Sequence, residues 1–127
     1  MRLLLDTQLL IWLAGGSSLL RPRTREIIAD AESRAFSVAS LWEAAIKHAQ
    51  GKPDFPFDAS RLRDGLLRNG YAELAVLGRH ALAVADLSAI HGDPFDRLLL
   101  AQARVESLTL LTADRRLASY GTPARLA

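Results

Sequence analysis

Leu3-Leu4-Leu5-Asp6-Thr7 is a short apolar run that ends on an acid. Residues 2–5 show no alternation of apolar and polar side chains, the pattern of a strand buried on both faces. Leu108-Thr109-Leu110-Leu111-Thr112 repeats the pattern and is followed by Asp114. Between them lie a strand-like Ala35-Phe36-Ser37-Val38, shortly before Glu43, and a strand from Ala72 to Leu77. Helical stretches fill the intervals. One covers 7–14 and stops at Gly15-Gly16, one runs over about 23–32 after Pro22, and one runs from Ser40 to about Gln50. Others begin at Asp58, at Gly78 and at Asp93-Pro94, the last reaching about Glu106. A short helix follows Asp114, and the tail after Tyr120 has room for a fifth strand. Strands alternating with helices predict an α/β fold, a parallel sheet with helices on both faces.

The length, 127 residues, fits one domain spanning residues 1–127. Half of the residues are apolar, enough for a core, and no cysteine is present, which excludes disulfides and thiolate metal sites. That usage fits a reducing, cytoplasmic setting. The N-terminus imitates a signal peptide, with Arg2, an apolar stretch to Leu13 and then Ala14-Gly15-Gly16. Asp6 and Gln8 interrupt it, so it reads as strand plus helix. No run approaches the ~18 apolar residues of a membrane span. The formal charge of +2 is a weak pointer to an anionic partner. The stretch Gly51-Lys52-Pro53-Asp54-Phe55-Pro56-Phe57 reads as a loop anchored by its two phenylalanines.

Asp6, Glu43, Asp96 and Asp114 all fall at strand-to-helix transitions, on the edge where an open α/β sheet binds its ligand. Four carboxylates brought together there are hard to keep ionised without a cation between them. Oxygen ligands suit Mg²⁺ or Mn²⁺, and a carboxylate-held divalent ion suggests phosphodiester hydrolysis. Each acid also has a structural reading. Asp6 and Asp114 can cap the helices that follow them. Ser40-Leu41-Trp42-Glu43 matches a capping box. Asp93 before Pro94 reads as an N-cap with Asp96 at the third helical position.

The histidines His48, His80 and His91 lack zinc-ligand spacing. His80 reads as a helix-surface residue, and His91 stands near Asp93 and Asp96. Trp12 and Trp42 read as core or interface. No phosphate-binding loop and no nucleophile elbow is present. A phosphoacceptor receiver of similar size would want an acidic pair after the first strand, where Asp6 stands alone.

The segments LLLDT (3–7), SLWEAAIK (40–47), HGDPFDRLLLAQA (91–103) and LLTADRRL (110–117) together resemble a PIN domain, in particular the VapC-type toxins of toxin–antitoxin pairs. The resemblance implies a three-layer α/β/α sandwich and a Mg²⁺- or Mn²⁺-dependent endoribonuclease. It maps the acidic site to Asp6, Glu43, Asp96 and Asp114, with Asp93 as an additional acid of capping or supporting role. It also implies a small antitoxin partner whose C-terminal segment covers the site, and a homodimer. Gln8 stands where this subgroup often has histidine. On this reading a metal-activated water hydrolyses RNA, and Thr7 and Thr112 hydrogen-bond the carboxylates or the water. Arg97, Arg115 and Lys47 are candidates for the RNA backbone, against an i,i+4 pair with Glu43 for Lys47 and a solvated helix face for the arginines. Two other functions stay open: a PIN-type RNA-processing nuclease without an antitoxin, and a non-catalytic binding module.

Overall fold

The computed structural model describes residues 1–89 and 92–127. Five parallel strands form one sheet in the order β3-β2-β1-β4-β5. They are β1 (Arg2–Leu5), β2 (Ser33–Ser37), β3 (Ala72–Leu74), β4 (Thr109–Thr112) and β5 (Ala124–Leu126). Helices α1 (Thr7–Gly15) and α2 (Pro22–Ala29) join β1 to β2, and α3 (Val38–Ala49) and α4 (Ala59–Arg68) join β2 to β3. From β3 the chain returns through α5 (Gly78–Ala83), a 3-10 turn (Val84–Asp86) and α6 (Pro94–Glu106) to β4, and α7 (Arg115–Ala118) precedes β5.

The apolar run of β1 is sorted by the period-two geometry of a strand. Leu3 and Leu5 join Phe36 and Leu111 in a cluster with Leu9, Leu10, Ile28, Leu62 and Leu66 of α1, α2 and α4. Leu4 points the other way and joins Leu110 with Leu99, Leu100 and Ala103 of α6. Two apolar clusters on opposite faces of one parallel sheet make the three-layer α/β/α sandwich that the sequence predicts. The tail forms β5 as expected, and Phe55 of the loop after α3 is buried.

Several local expectations are corrected. α3 begins at Val38, with Ser37 as its N-cap, so Ser40 lies inside the helix and no capping box joins it to Glu43. The Ser37 hydroxyl accepts from the Ala39 N–H and donates to Gln102 on α6, which fixes the entry to α3 one turn earlier. β3 is three residues long rather than reaching Leu77. His80 is not on the surface but fully buried. Its Nδ1 accepts the Leu77 N–H and its Nε2 meets Glu106 at 2.7 Å, which locks α5 to α6. Trp42 is not in the core: it is 61% exposed. His91 lies outside the described residues. Among the described residues no helix is long and apolar enough to cross a membrane.

Candidate functional site

In the strand order the chain leaves β1 for β2 on one side and later fills β4 on the other. The carboxyl ends of β1 and β4 therefore flank the topological switch point, where α/β sheets open a crevice. Asp6 and Thr112 are the side chains delivered to it. The Asp6 N–H continues the ladder to the Leu111 carbonyl at 3.0 Å. Its Oδ1 accepts from the Leu9 N–H at 2.9 Å and so caps α1. Its Oδ2 accepts from the Thr112 hydroxyl and from the Ala113 N–H. The Thr112 oxygen in turn accepts from the Asp114 N–H at 2.9 Å.

Asp6 is buried, and burial pushes its carboxyl up to about 6, from an ordinary 3.8, against the pull of the bonds from Thr112, Leu9 and Ala113; the nearby Glu43 adds to the rise. Glu43 projects from the second turn of α3 and is 5% exposed. One oxygen, Oε2, pairs with Lys47 Nζ at 2.6 Å across one helical turn. The other, Oε1, is buried and meets no hydrogen-bond partner. Burial works against the Lys47 charge, but Glu43 first, and Asp93 and Asp96 behind it, hold the ammonium above its ordinary value. Lys47 thus lies in the combined field of three acids from two helices. Beside them, Thr7 donates to Ser40 at 2.9 Å, a buried bond that ties the start of α1 to α3.

Asp93 caps α6, accepting from the Phe95 and Asp96 N–H groups, with Pro94 in the first turn as expected. Asp96 follows in that turn. Asp114 caps α7 through the N–H groups of Arg116 and Leu117. The capping readings and the site readings thus coincide on the same residues. Arg97 is not a solvated side chain: it donates to the Ser88 and Val84 carbonyls and to the Tyr120 hydroxyl. Arg115 is exposed and borders a small cavity with Leu9 and Trp12.

Among the described residues no three acidic or imidazole groups stand close enough together to hold an ion. The full convergence expected of Asp6, Glu43, Asp96 and Asp114 is therefore absent from this arrangement. The reason is visible in their partners. Asp6 turns to Thr112 and Leu9, Asp114 to the backbone of α7, and Glu43 to Lys47. The donor chemistry nevertheless fits a hard divalent cation. A buried carboxylate oxygen without a partner lacks a donor or a cation, and Asp6 resists ionisation for want of positive charge. Ser40 and Lys47 complete the site. The sequence indicates Lys47 through its spacing from Glu43; Ser40 reads there only as a cap.

A family model described as PIN domain matches residues 3–122. No curated protein matches the sequence. Among solved structures, the chain is similar to one in VapBC2 from Rickettsia felis bound to a promoter DNA fragment. The TM-score is 0.72 at 16% identity, over 100% of this chain and 98% of that one. Similarity to a chain of VapBC-1 from nontypeable Haemophilus influenzae has a TM-score of 0.68 at 18% identity, covering 100% and 97%. A toxin–antitoxin complex from Klebsiella pneumoniae gives 0.66 at 18%, covering 96% and 94%. At these identities the structures testify to the fold, whereas the family match extends over nearly the whole sequence and takes in every acid of the site: the chain belongs to the PIN-domain family.

Proposed function

We propose that residues 1–127 form one nuclease domain, a divalent-metal-dependent endoribonuclease that acts as a VapC-type toxin. The observation that carries the reading is the buried, unpartnered Oε1 of Glu43 beside the buried Asp6, at the switch point of a parallel sheet. The family supports it, since PIN domains are generally metal-using nucleases. The toxin assignment draws on solved chains of the same fold described as members of toxin–antitoxin complexes.

Asp6, Glu43 and Asp96 would hold a Mg²⁺ or Mn²⁺ ion, with Asp114 helping or holding a second. When bound, the ion supplies Lewis acidity, making a water nucleophilic near neutral pH and neutralising charge that develops on the phosphate. Thr112 fixes the Asp6 carboxylate through its hydroxyl, so that one oxygen keeps its direction. Thr7 holds α1 against α3 through Ser40 and so sets the separation of Asp6 from Glu43. Lys47 steadies Glu43 before an ion arrives and leaves a cation beside the incoming phosphate. An antitoxin and a second copy of the chain complete the proposed assembly.

The test is cleavage of RNA with Mg²⁺ or Mn²⁺ and with EDTA. The wild type should cut only with metal, and Asp6→Asn should lose on the order of 100-fold or more, beyond what supporting residues usually contribute. Products should carry 5′-phosphate and 3′-hydroxyl ends, because water is the nucleophile; 2′,3′-cyclic ends would show that the RNA's own hydroxyl attacks. Expression of the chain should arrest growth, and co-expression of a neighbouring small protein should relieve it. An active nuclease that leaves growth unaffected would retain the enzyme and remove the toxin.

A further inference from the structure

Trp42 is a large aromatic side chain left 61% exposed. It meets Phe95 edge to face, with ring centroids 5.2 Å apart and planes at 68°. Such contacts hold two rings in a fixed relation. The pair stands at the acidic site by covalent linkage, since Trp42 precedes Glu43 on α3 and Phe95 precedes Asp96 on α6. Lys47 bridges the two features: its Nζ lies 2.6 Å from Glu43 and 6.0 Å from the centre of the Phe95 ring. A solvent-facing indole, a bracing phenyl ring, an ammonium and buried carboxylates thus follow one another across the α3–α6 surface.

We propose that Trp42, braced by Phe95, is a stacking platform for an unpaired nucleobase of the strand whose phosphate enters the acidic site. This rests on the nuclease reading and narrows its substrate to single-stranded RNA. Base stacking on an aromatic side chain needs a base freed from its partner, because the faces of paired bases are covered in a helix. The surroundings favour a base over a second protein. Interface cores are depleted of charge, whereas Glu43, Lys47, Asp93 and Asp96 surround this pair. Lys47 also places positive charge where a backbone linking the stacked base to the reacting phosphate would pass.

The test is binding of a short labelled single-stranded oligoribonucleotide to the full chain. Calcium replaces magnesium, and a gel confirms that the strand stays whole. Trp42→Ala should weaken binding roughly ten-fold, within the usual range for one stacked base, and Trp42→Phe should restore most of it. Leu82→Ala removes another exposed apolar side chain, 78% exposed, and should change nothing. The same strand in a duplex should bind more weakly than the single strand. In a Trp12→Phe background the remaining indole fluorescence should be quenched by the strand, a readout that leaves Trp42 in place. Equal affinity of wild type and Trp42→Ala, with no quenching, overturns the platform and leaves the nuclease intact. Unchanged affinity with a dimer turned to monomer, seen by sedimentation, assigns the face to a second copy and also overturns it. A wild type that binds no strand removes the nuclease reading and the platform together.

Discussion

At Asp6, burial and ionisation oppose each other. The carboxyl titrates at about 6 in the fold against 3.8 ordinarily. Between those values the native state holds a proton that the unfolded chain has released, so stability falls as pH rises through that window. Each pH unit is worth about 1.4 kcal/mol, and the ionised group therefore costs the metal-free protein roughly 3 kcal/mol above pH 6. Asn carries no charge and keeps the oxygen that accepts from Leu9. Asp6→Asn should thus melt above the wild type in EDTA at pH 8, and the lead should shrink toward zero below pH 4. A variant that melts lower at pH 8 would show that the bonds to Thr112 and Ala113 outweigh the charge. Lys47 presents the opposite case. Its removal strands Glu43, which is buried, with neither oxygen paired. Losing one member of a buried pair costs several kcal/mol, less where one partner reaches solvent, so Lys47→Ala should lose about 2 kcal/mol. Divalent ions should stabilise this variant more than the wild type, because the ion then replaces a missing charge. Equal gains in melting temperature would mean that the ion does not meet Glu43.

α6 shows what an element contributes to the site. Its first turn carries Asp96, and its N-terminus is fixed by the Asp93 carboxylate and Pro94. Asp93→Ala should cost about 1 kcal/mol, the usual loss of an N-cap, which urea unfolding would measure. At the other end Ser107 adopts φ 56°, a left-handed conformation that glycine enters without a side-chain clash. Ser107→Gly should therefore gain about 0.5–1 kcal/mol. A loss would reveal a contact of the serine that outweighs its backbone conformation. The start of α6 was legible because Asp-Pro followed by apolar periodicity has one local solution. The start of α3 was not. Val38 reads as the end of a strand by its branched side chain, and Ser40 reads as a cap by its distance from Glu43. The cap is Ser37, held by Gln102 far along the chain, a contact that local sequence does not encode. The same shift hid Trp42. The buried stripe of α3 runs through Ala39, Ser40, Glu43 and Ala44, two of them polar, so hydrophobicity points to the wrong face. His80 was misread likewise, since its burial depends on Glu106 across α5 and α6.

Across the whole molecule, the acids are distributed so that only the assembled sheet brings them near one another. Asp6 comes from the end of β1, Glu43 from α3, Asp96 from α6 and Asp114 from the start of α7. The alternation of strands and helices made that placement readable in sequence; the side-chain directions were not, because each acid has a competing local partner. The unfolded chain scatters the four, so a divalent ion should bind the native state far better. Stabilisation then follows RT ln(1 + [L]/Kd), about 1.4 kcal/mol at a tenfold excess over Kd. For a chain of this size that is a rise in Tm of roughly 5 °C. Part of the gain is spent in turning Glu43 from Lys47 and Asp114 from its capping bonds, so the rise should be smallest where those partners are strongest. Melting curves with EDTA and with millimolar Mg²⁺ or Mn²⁺ check it. Neutralising Asp6 and Asp96 together, as asparagines, should remove most of the shift. Asp58→Asn should not, because Asp58 caps α4, a role that asparagine fills as well. An equal shift in wild type and double variant would place the ion elsewhere, and the acids of the switch point would then be helix caps alone.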